Sequence, residues 1–92
     1  MFTEFFYLLR SKGLSLSPTG FLRLQRALDE GLIRCLDDFY FLSRAIMIKS
    51  ERHFDLYDRV FAHFFKGAEL SEELASELEL AIQAMLEEWL KD

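Results

Sequence analysis

The fold is decided by the stretch Asp37-Asp38-Phe39-Tyr40-Phe41-Leu42-Ser43-Arg44-Ala45-Ile46-Met47-Ile48. A helix over these positions, at about 100° per residue, would present apolar side chains on nearly every side. One face of this helix would carry Phe39, Leu42, Ala45 and Ile46. The opposite side would carry Phe41 and Ile48, and Tyr40 and Met47 would lie on a flank between them. A helix that is apolar all round is usually buried among its neighbours. We therefore expect a buried central helix over about residues 37–49, with Asp37 as its N-cap.

The segments before and after this stretch have the periodicity of amphipathic helices. Each is bounded by capping residues and glycines: Thr3 and Gly13, Ser17-Pro18 and Gly31, Ser50 and Gly67, and Ser71 for a last helix with no stop signal. The apolar stripes expected to face the core are Phe2, Phe5, Phe6, Leu8 and Leu9; Phe21, Leu24, Ala27 and Leu28; Phe54, Leu56, Tyr57, Val60, Phe61 and Phe64; and Leu74, Leu78, Ile82, Met85, Leu86 and Trp89. No alternating pattern persists long enough for a strand. The sequence predicts one all-α domain over residues 1–92, a compact bundle of four to five helices.

Composition excludes several classes of partner. The formal net charge of −5 argues against nucleic acid and against an anionic membrane surface, because both are bound through clustered Lys and Arg. No apolar run approaches the roughly 18–20 residues of a membrane span. The single cysteine, Cys35, allows no internal disulfide, and its default interpretation is a small buried side chain. We expect a cytoplasmic protein.

The sequence contains no recognisable catalytic motif. His-Glu-x-x-His, the phosphate-binding Gly-x-x-x-x-Gly-Lys and Gly-x-Gly-x-x-Gly are all missing. The two histidines, His53 and His63, are too few and too far apart in sequence for a zinc site. We therefore expect no enzyme activity, no metal and no cofactor.

One charge and one leucine stand out from the helical patterns. Arg44 lies on the apolar central stretch and must be paired or must reach solvent along its stem. We predict a structural ion pair from Arg44 to Asp55 or Asp58 that clamps the third helix to the fourth. Leu80 lies in the polar arc of the last helix, and with Glu77 and Gln83 it is the candidate partner surface. The other interpretation of Leu80 is an ordinary exposed leucine.

The central run also carries a family resemblance. The pattern Asp38-Phe39-Tyr40-x-Leu42-x-Arg44-Ala45, followed by Lys49-Ser50-Glu51-x-His53-Phe54-Asp55-x-Tyr57-Asp58-x-x-Phe61, resembles the N-terminal region of CoxE-like proteins. The opening Phe5-Phe6-x-Leu8-Leu9-Arg10 and the Gly13…Ser17-Pro18 entry to the second helix are similar too. The resemblance covers most of residues 1–67 and becomes weak in the last helix.

The resemblance implies a function. In CoxE-like proteins a helical N-terminal part precedes a von Willebrand factor A domain. They are typically encoded beside a MoxR-type AAA+ ATPase, with which they are thought to mature or remodel enzyme complexes in a chaperone-like way. The family's metal site begins with Asp-x-Ser-x-Ser in the A domain; that motif is missing from these residues, so no metal ligand carries over. The expectation is an N-terminal domain of a longer protein.

Two functions remain open at this stage. The first is a non-enzymatic protein-interaction domain, whose partner is the AAA+ ATPase, its client or the downstream von Willebrand A domain. The alternative is a freestanding small helical protein that forms a homodimer. Neither involves nucleic acid or a membrane.

Overall fold

The computed structural model describes residues 1–91, and its secondary structure there is entirely helical. The five α-helices are α1 (Phe2–Ser11), α2 (Pro18–Asp29), α3 (Leu36–Met47), α4 (Phe54–Phe65) and α5 (Glu72–Leu90), with a 3₁₀ turn at Glu51–His53 before α4. This confirms the predicted all-α bundle. None of these helices is both long enough and apolar enough to cross a membrane.

Two of the predicted helix caps are present with their side-chain hydrogen bonds. Ser17 Oγ accepts a hydrogen bond from the backbone N–H of Gly20 at 3.2 Å, and Pro18 follows it at the first helical position. Ser71 Oγ accepts one from the N–H of Leu74 at 3.1 Å. Each bond satisfies a backbone donor that has no partner within the helix.

Two other predicted caps are wrong. The backbone N–H of Phe5 donates to the carbonyl of Met1 at 3.1 Å, so α1 begins before Thr3. The N–H of Phe39 donates to the carbonyl of Cys35 at 3.2 Å, which makes Cys35 the N-cap of α3 and places Asp37 in its first turn. An acidic residue in a first turn suits the positive end of the helix dipole, and so gives a sequence signal close to that of a cap.

The core is built around α1, which packs against α4 and α5. Its four inward residues, Phe2, Phe5, Phe6 and Leu9, have no exposed surface. The ring of Phe5 has its centroid 5.1 to 6.1 Å from those of Phe6, Phe39, Tyr57, Phe61, Phe64 and Phe65. Most of these rings meet edge to face, the arrangement that aromatic quadrupoles favour.

The prediction that α3 is buried on every side is wrong for one edge of the helix. α3 packs against α2 and α4 and buries Leu36, Phe39, Ser43 and Met47. Phe41 is 64% exposed, and Ala45 is exposed as well. The helices α2 and α4, together with the aromatic rings of α1 that reach Phe39, cover only part of the circumference of α3. The remaining apolar side chains therefore face solvent.

The last helix covers the other side of α1. α5 packs against α1 and α2 and buries Leu78, Ala81, Ile82 and Met85. Trp89 extends this contact, with its ring centroid 5.5 Å from that of Phe21 on α2. The predicted inward stripe of the last helix is therefore confirmed.

Candidate functional site

The exposed edge of α3 and the start of α4 together form a shallow apolar groove. Its lining residues are Phe41, Arg44, Ala45 and Phe54, which we call the α3–α4 patch. Phe41 stands at the rim, and its ring meets that of Tyr40 edge to face at a centroid distance of 5.0 Å. A large aromatic side chain held in this way at a groove edge is available to a partner with little further ordering.

Arg44 provides the charge of the α3–α4 patch. Its guanidinium carbon lies 3.9 Å from the ring centroid of Phe54 and 5.7 Å from that of Tyr40. Nη1 donates a hydrogen bond to the hydroxyl of Tyr40 at 2.8 Å. The side chain is 26% exposed, so the cation is held against aromatic faces while part of it still reaches the surface.

Tyr40 connects this arginine to α4. Its hydroxyl donates to a carboxylate oxygen of Asp58. That hydrogen bond, together with partial burial, raises the pKa of the Tyr40 hydroxyl, since loss of its proton would place two negative oxygens side by side. Tyr40 therefore stays protonated and acts as a donor to Asp58 while it accepts from Arg44.

A second hydroxyl pair lies below the patch, in the core. Ser43 on α3 and Tyr57 on α4 share a hydrogen bond between their hydroxyls, and both side chains are fully buried. Burial raises the pKa of the Tyr57 hydroxyl well above its ordinary value of 10.0. This pair satisfies two buried polar groups and fixes the register of α3 on α4.

Of the two carboxylates proposed for the Arg44 ion pair, the structure brings Asp58 to the arginine. Arg44 Nη1 lies 3.9 Å from Asp58 Oδ1, whereas Asp55 forms no ion pair within residues 1–91. The distance is long for a direct hydrogen bond, and the Tyr40 hydroxyl bridges the two groups. Whether this arrangement clamps the two helices remains a prediction.

The guanidinium of Arg44 is not fully satisfied by its neighbours. Its Nε is buried and has no hydrogen-bond partner among the described residues. An arginine carries five N–H donors, and the ordered contacts to Tyr40 and Asp58 occupy only the Nη1 end. The α3–α4 patch therefore combines apolar surface with a partly exposed cation, which suits a protein partner better than a purely apolar surface would.

The structure separates the three residues of the predicted partner surface on α5. Leu80 is 66% exposed and Gln83 is exposed, as that prediction requires. Glu77 is instead half-buried, and its carboxylate pairs with the amino terminus of Met1 and accepts a hydrogen bond from the N–H of Phe2 at 3.3 Å. These contacts lower the pKa of Glu77, and they make it a link between α1 and α5.

The remaining sequence candidates can also be placed. Cys35 is exposed at the start of α3, which corrects the expectation of a buried side chain. His53 belongs to the 3₁₀ turn, and His63 lies on the exposed side of α4. Within residues 1–91, no three His, Cys, Asp or Glu side chains come close enough together to hold a metal ion.

Sequence reasoning missed the exposure of Phe41, although a signal was present. The helical projection placed Phe41 on the side opposite Phe39, and only one of these two sides could face the core. The residues that carry the family resemblance in α3 and α4 contact one another around the α3–α4 patch. Tyr40, Arg44, Phe54 and Asp58 all belong to the motifs quoted above.

Comparison with known families agrees with this structure. Residues 2–68 match the family described as the CoxE N-terminal helical bundle domain, and they span α1 to α4. The chain belongs to the CoxE N-terminal helical bundle domain family. No curated protein and no solved structure matches it.

The residues that match the family cover the first four helices of this fold. The whole α3–α4 patch lies inside the matched residues, whereas α5 begins at Glu72, after they end. The helix α5, which packs on α1 and α2, lies outside the matched residues.

Proposed function

We propose that this CoxE N-terminal domain is a non-enzymatic protein-interaction module of a cytoplasmic von Willebrand A protein. Its partner would be a MoxR-type AAA+ ATPase, with which it would mature or remodel enzyme complexes in a chaperone-like way. The ATPase's client or a downstream von Willebrand A domain are further partners of the same class. The proposal extends the family's implied function to this chain.

The observation that carries the proposal is the α3–α4 patch. A 64% exposed phenylalanine stands beside an arginine that is stacked on a second aromatic ring. Aromatic and arginine side chains are the residue types that most often dominate the free energy of protein–protein binding. The bridged contacts of Arg44, Tyr40 and Asp58 hold the patch in one conformation before a partner arrives, which reduces the ordering cost of binding.

The test is direct binding between the purified chain and the MoxR-type ATPase of the same host, measured by calorimetry. Phe41→Ser should raise the Kd at least about tenfold, because it removes the large exposed aromatic side chain of the α3–α4 patch. Leu22→Ser is the matched control, since Leu22 is 58% exposed but lies on α2. Circular dichroism melts of both variants would verify that the fold is intact.

Each other outcome has a definite meaning. If the wild-type chain does not bind the ATPase, the proposed partnership is wrong. If Phe41→Ser and Leu22→Ser weaken binding equally, the α3–α4 patch is not the contact. If the wild-type chain sediments as a dimer and the Phe41→Ser variant sediments as a monomer, this surface serves homodimer formation instead.

A further inference from the structure

A second surface lies on α5, outside the residues that match the family. The buried residues of α5, such as Leu78, Ile82 and Met85, face α1 and α2. The opposite side of the helix carries the exposed residues Ser76, Leu80, Gln83 and Ala84, which we call the outer α5 face. Leu80 stands at its centre, with Ser76 and Ala84 one turn before and after it.

The residues one turn before and after Leu80 leave room for a close contact. Ser76 and Ala84 are small, so the backbone of a second helix could approach the surface of α5 at these positions. Leu80 would then project between side chains of that helix, as a knob enters a hole in helix-to-helix packing.

Three carboxylates lie around Leu80 on α5. Glu73 and Glu87 lie about 10 Å before and after Leu80 and within about 20° of its direction. Glu79 adds a third carboxylate at the side, and none of the three forms an ion pair within residues 1–91. By contrast, Glu77 and Glu88 turn towards α1, where they bind the amino terminus and Arg10.

The carboxylates of α5 therefore divide into two groups. Those that face α1 are neutralised by the bundle itself, whereas those around Leu80 form no ion pair within residues 1–91. A second copy of this chain, with its formal net charge of −5, would bring like charges together at this surface. A cationic partner would remove that repulsion and supply the missing counter-charges.

We propose that the outer α5 face docks a basic amphipathic helix of a partner protein, with an aliphatic side chain of that helix packed beside Leu80. The lysines or arginines of the partner would lie against Glu73, Glu79 and Glu87. The surface is separate from the α3–α4 patch, so the proposal does not depend on the ATPase partnership.

The test uses a synthetic peptide as the probe. A Lys/Leu amphipathic peptide about four turns long is titrated into the ¹⁵N-labelled chain, followed by NMR chemical shifts and by calorimetry at several salt concentrations. We expect shifts concentrated at Ser76, Leu80, Gln83 and Ala84. Leu80→Ser should weaken binding at least about tenfold, whereas Leu22→Ser on α2 should not.

The charge component has its own matched pair of variants. Glu73→Gln with Glu87→Gln should weaken binding and flatten its dependence on salt, because two screened attractions are lost. Glu51→Gln with Asp55→Asn removes the same number of charges from another part of the surface. This control should leave the affinity for the peptide and its salt dependence nearly unchanged. A peptide with Ser in place of its Leu residues should bind at least about tenfold more weakly, since the apolar contact is lost.

Three results would overturn the proposal. The first is that the NMR chemical-shift changes spread over the whole acidic surface and that Leu80→Ser binds the peptide as tightly as the wild type. This result would mean that the peptide is attracted non-specifically as a cation. The second is equally tight binding of a Glu/Leu peptide. The third is that the wild-type chain forms a dimer and the Leu80→Ser variant is a monomer, because the outer α5 face would then bind a second copy of this chain.

Discussion

Arg44 shows how one charged side chain is accommodated in an aromatic patch. Its guanidinium stacks on Phe54, donates to Tyr40 and approaches Asp58 without a direct hydrogen bond. The side chains of Arg44 and Asp58 are 26% and 41% exposed, so water screens part of their attraction. We therefore expect stacking and the Tyr40 bridge to contribute more than the ion pair itself.

A double-mutant cycle can separate these contributions. With Arg44→Met and Asp58→Asn, the coupling free energy should be about 0.5 kcal/mol, as for other partly exposed pairs. Arg44→Met alone should cost about 1 kcal/mol, because the cation–aromatic contact is lost as well. The measurement is urea denaturation followed by circular dichroism.

The matched control is the same cycle with Asp55→Asn in place of Asp58→Asn. Asp55 lies three residues earlier on α4 and forms no ion pair within residues 1–91, so its coupling to Arg44 should be close to zero. A coupling to Asp55 as large as that to Asp58 would contradict this assignment of the pair.

At the scale of the helices, the glycines at the two ends of α2 have opposite roles. Gly20 lies in the first turn, and a Cβ there would meet Ser17 Oγ at 3.5 Å and Met47 Cγ at 3.6 Å, which are ordinary contacts. Gly31 follows the end of the helix with φ of +76°, a left-handed conformation that ends the helix. The first glycine is therefore replaceable, and the second is required by the backbone.

Alanine substitutions should change stability in opposite directions. Gly20→Ala should stabilise the fold by about 0.5–1 kcal/mol, because glycine loses more backbone conformational entropy than alanine when the helix forms. Gly31→Ala should destabilise it by about 1 kcal/mol, because a side chain strains the left-handed backbone even though no atom lies within 4 Å. Thermal melts of the two variants test the difference, and a lower melting temperature for Gly20→Ala would contradict the contact distances.

At the scale of the whole molecule, polar contacts join the first helix to the last. The hydroxyl of Tyr7 donates to the carboxylate of Glu88, and Arg10 Nη2 lies 3.1 Å from the other carboxylate oxygen. These two contacts lower the pKa of Glu88 below its ordinary value of 4.5. With Glu77 at the other end of α1, they fix α5 along the length of the first helix.

This arrangement predicts a pH-dependent contribution of Glu88 to stability. Because its folded pKa is lowered, the stabilisation is present above the ordinary value of 4.5 and is lost as pH falls through the folded value. Glu88→Gln should therefore melt at a lower temperature than the wild type at about pH 6, and the difference should vanish at about pH 2.

The control for this prediction is Glu87→Gln, since Glu87 is exposed and forms no ion pair within the described residues. Its melting temperature should follow that of the wild type across the pH range. A Glu88→Gln variant whose deficit persists at about pH 2 would show that packing, and not the charge, stabilises this contact.

The sequence by itself determined the helical class, most helix boundaries and the family. Periodicity located all five helices, Ser17 and Ser71 marked two of their starts, and Gly31 marked an end. These features are local, because a cap, a left-handed glycine or an apolar stripe acts through residues within a few positions of one another.

Only the tertiary structure decided which apolar side chains are buried. The sequence made α3 the central helix, and α3 packs against α2 and α4 and reaches α1 through Phe39, but one edge of it faces solvent. Phe39 and Phe41 are equally apolar, yet one is buried and the other is 64% exposed. Burial depends on which neighbouring helices cover a face, and that depends on contacts between residues distant in sequence, which the periodicity of a single helix does not contain.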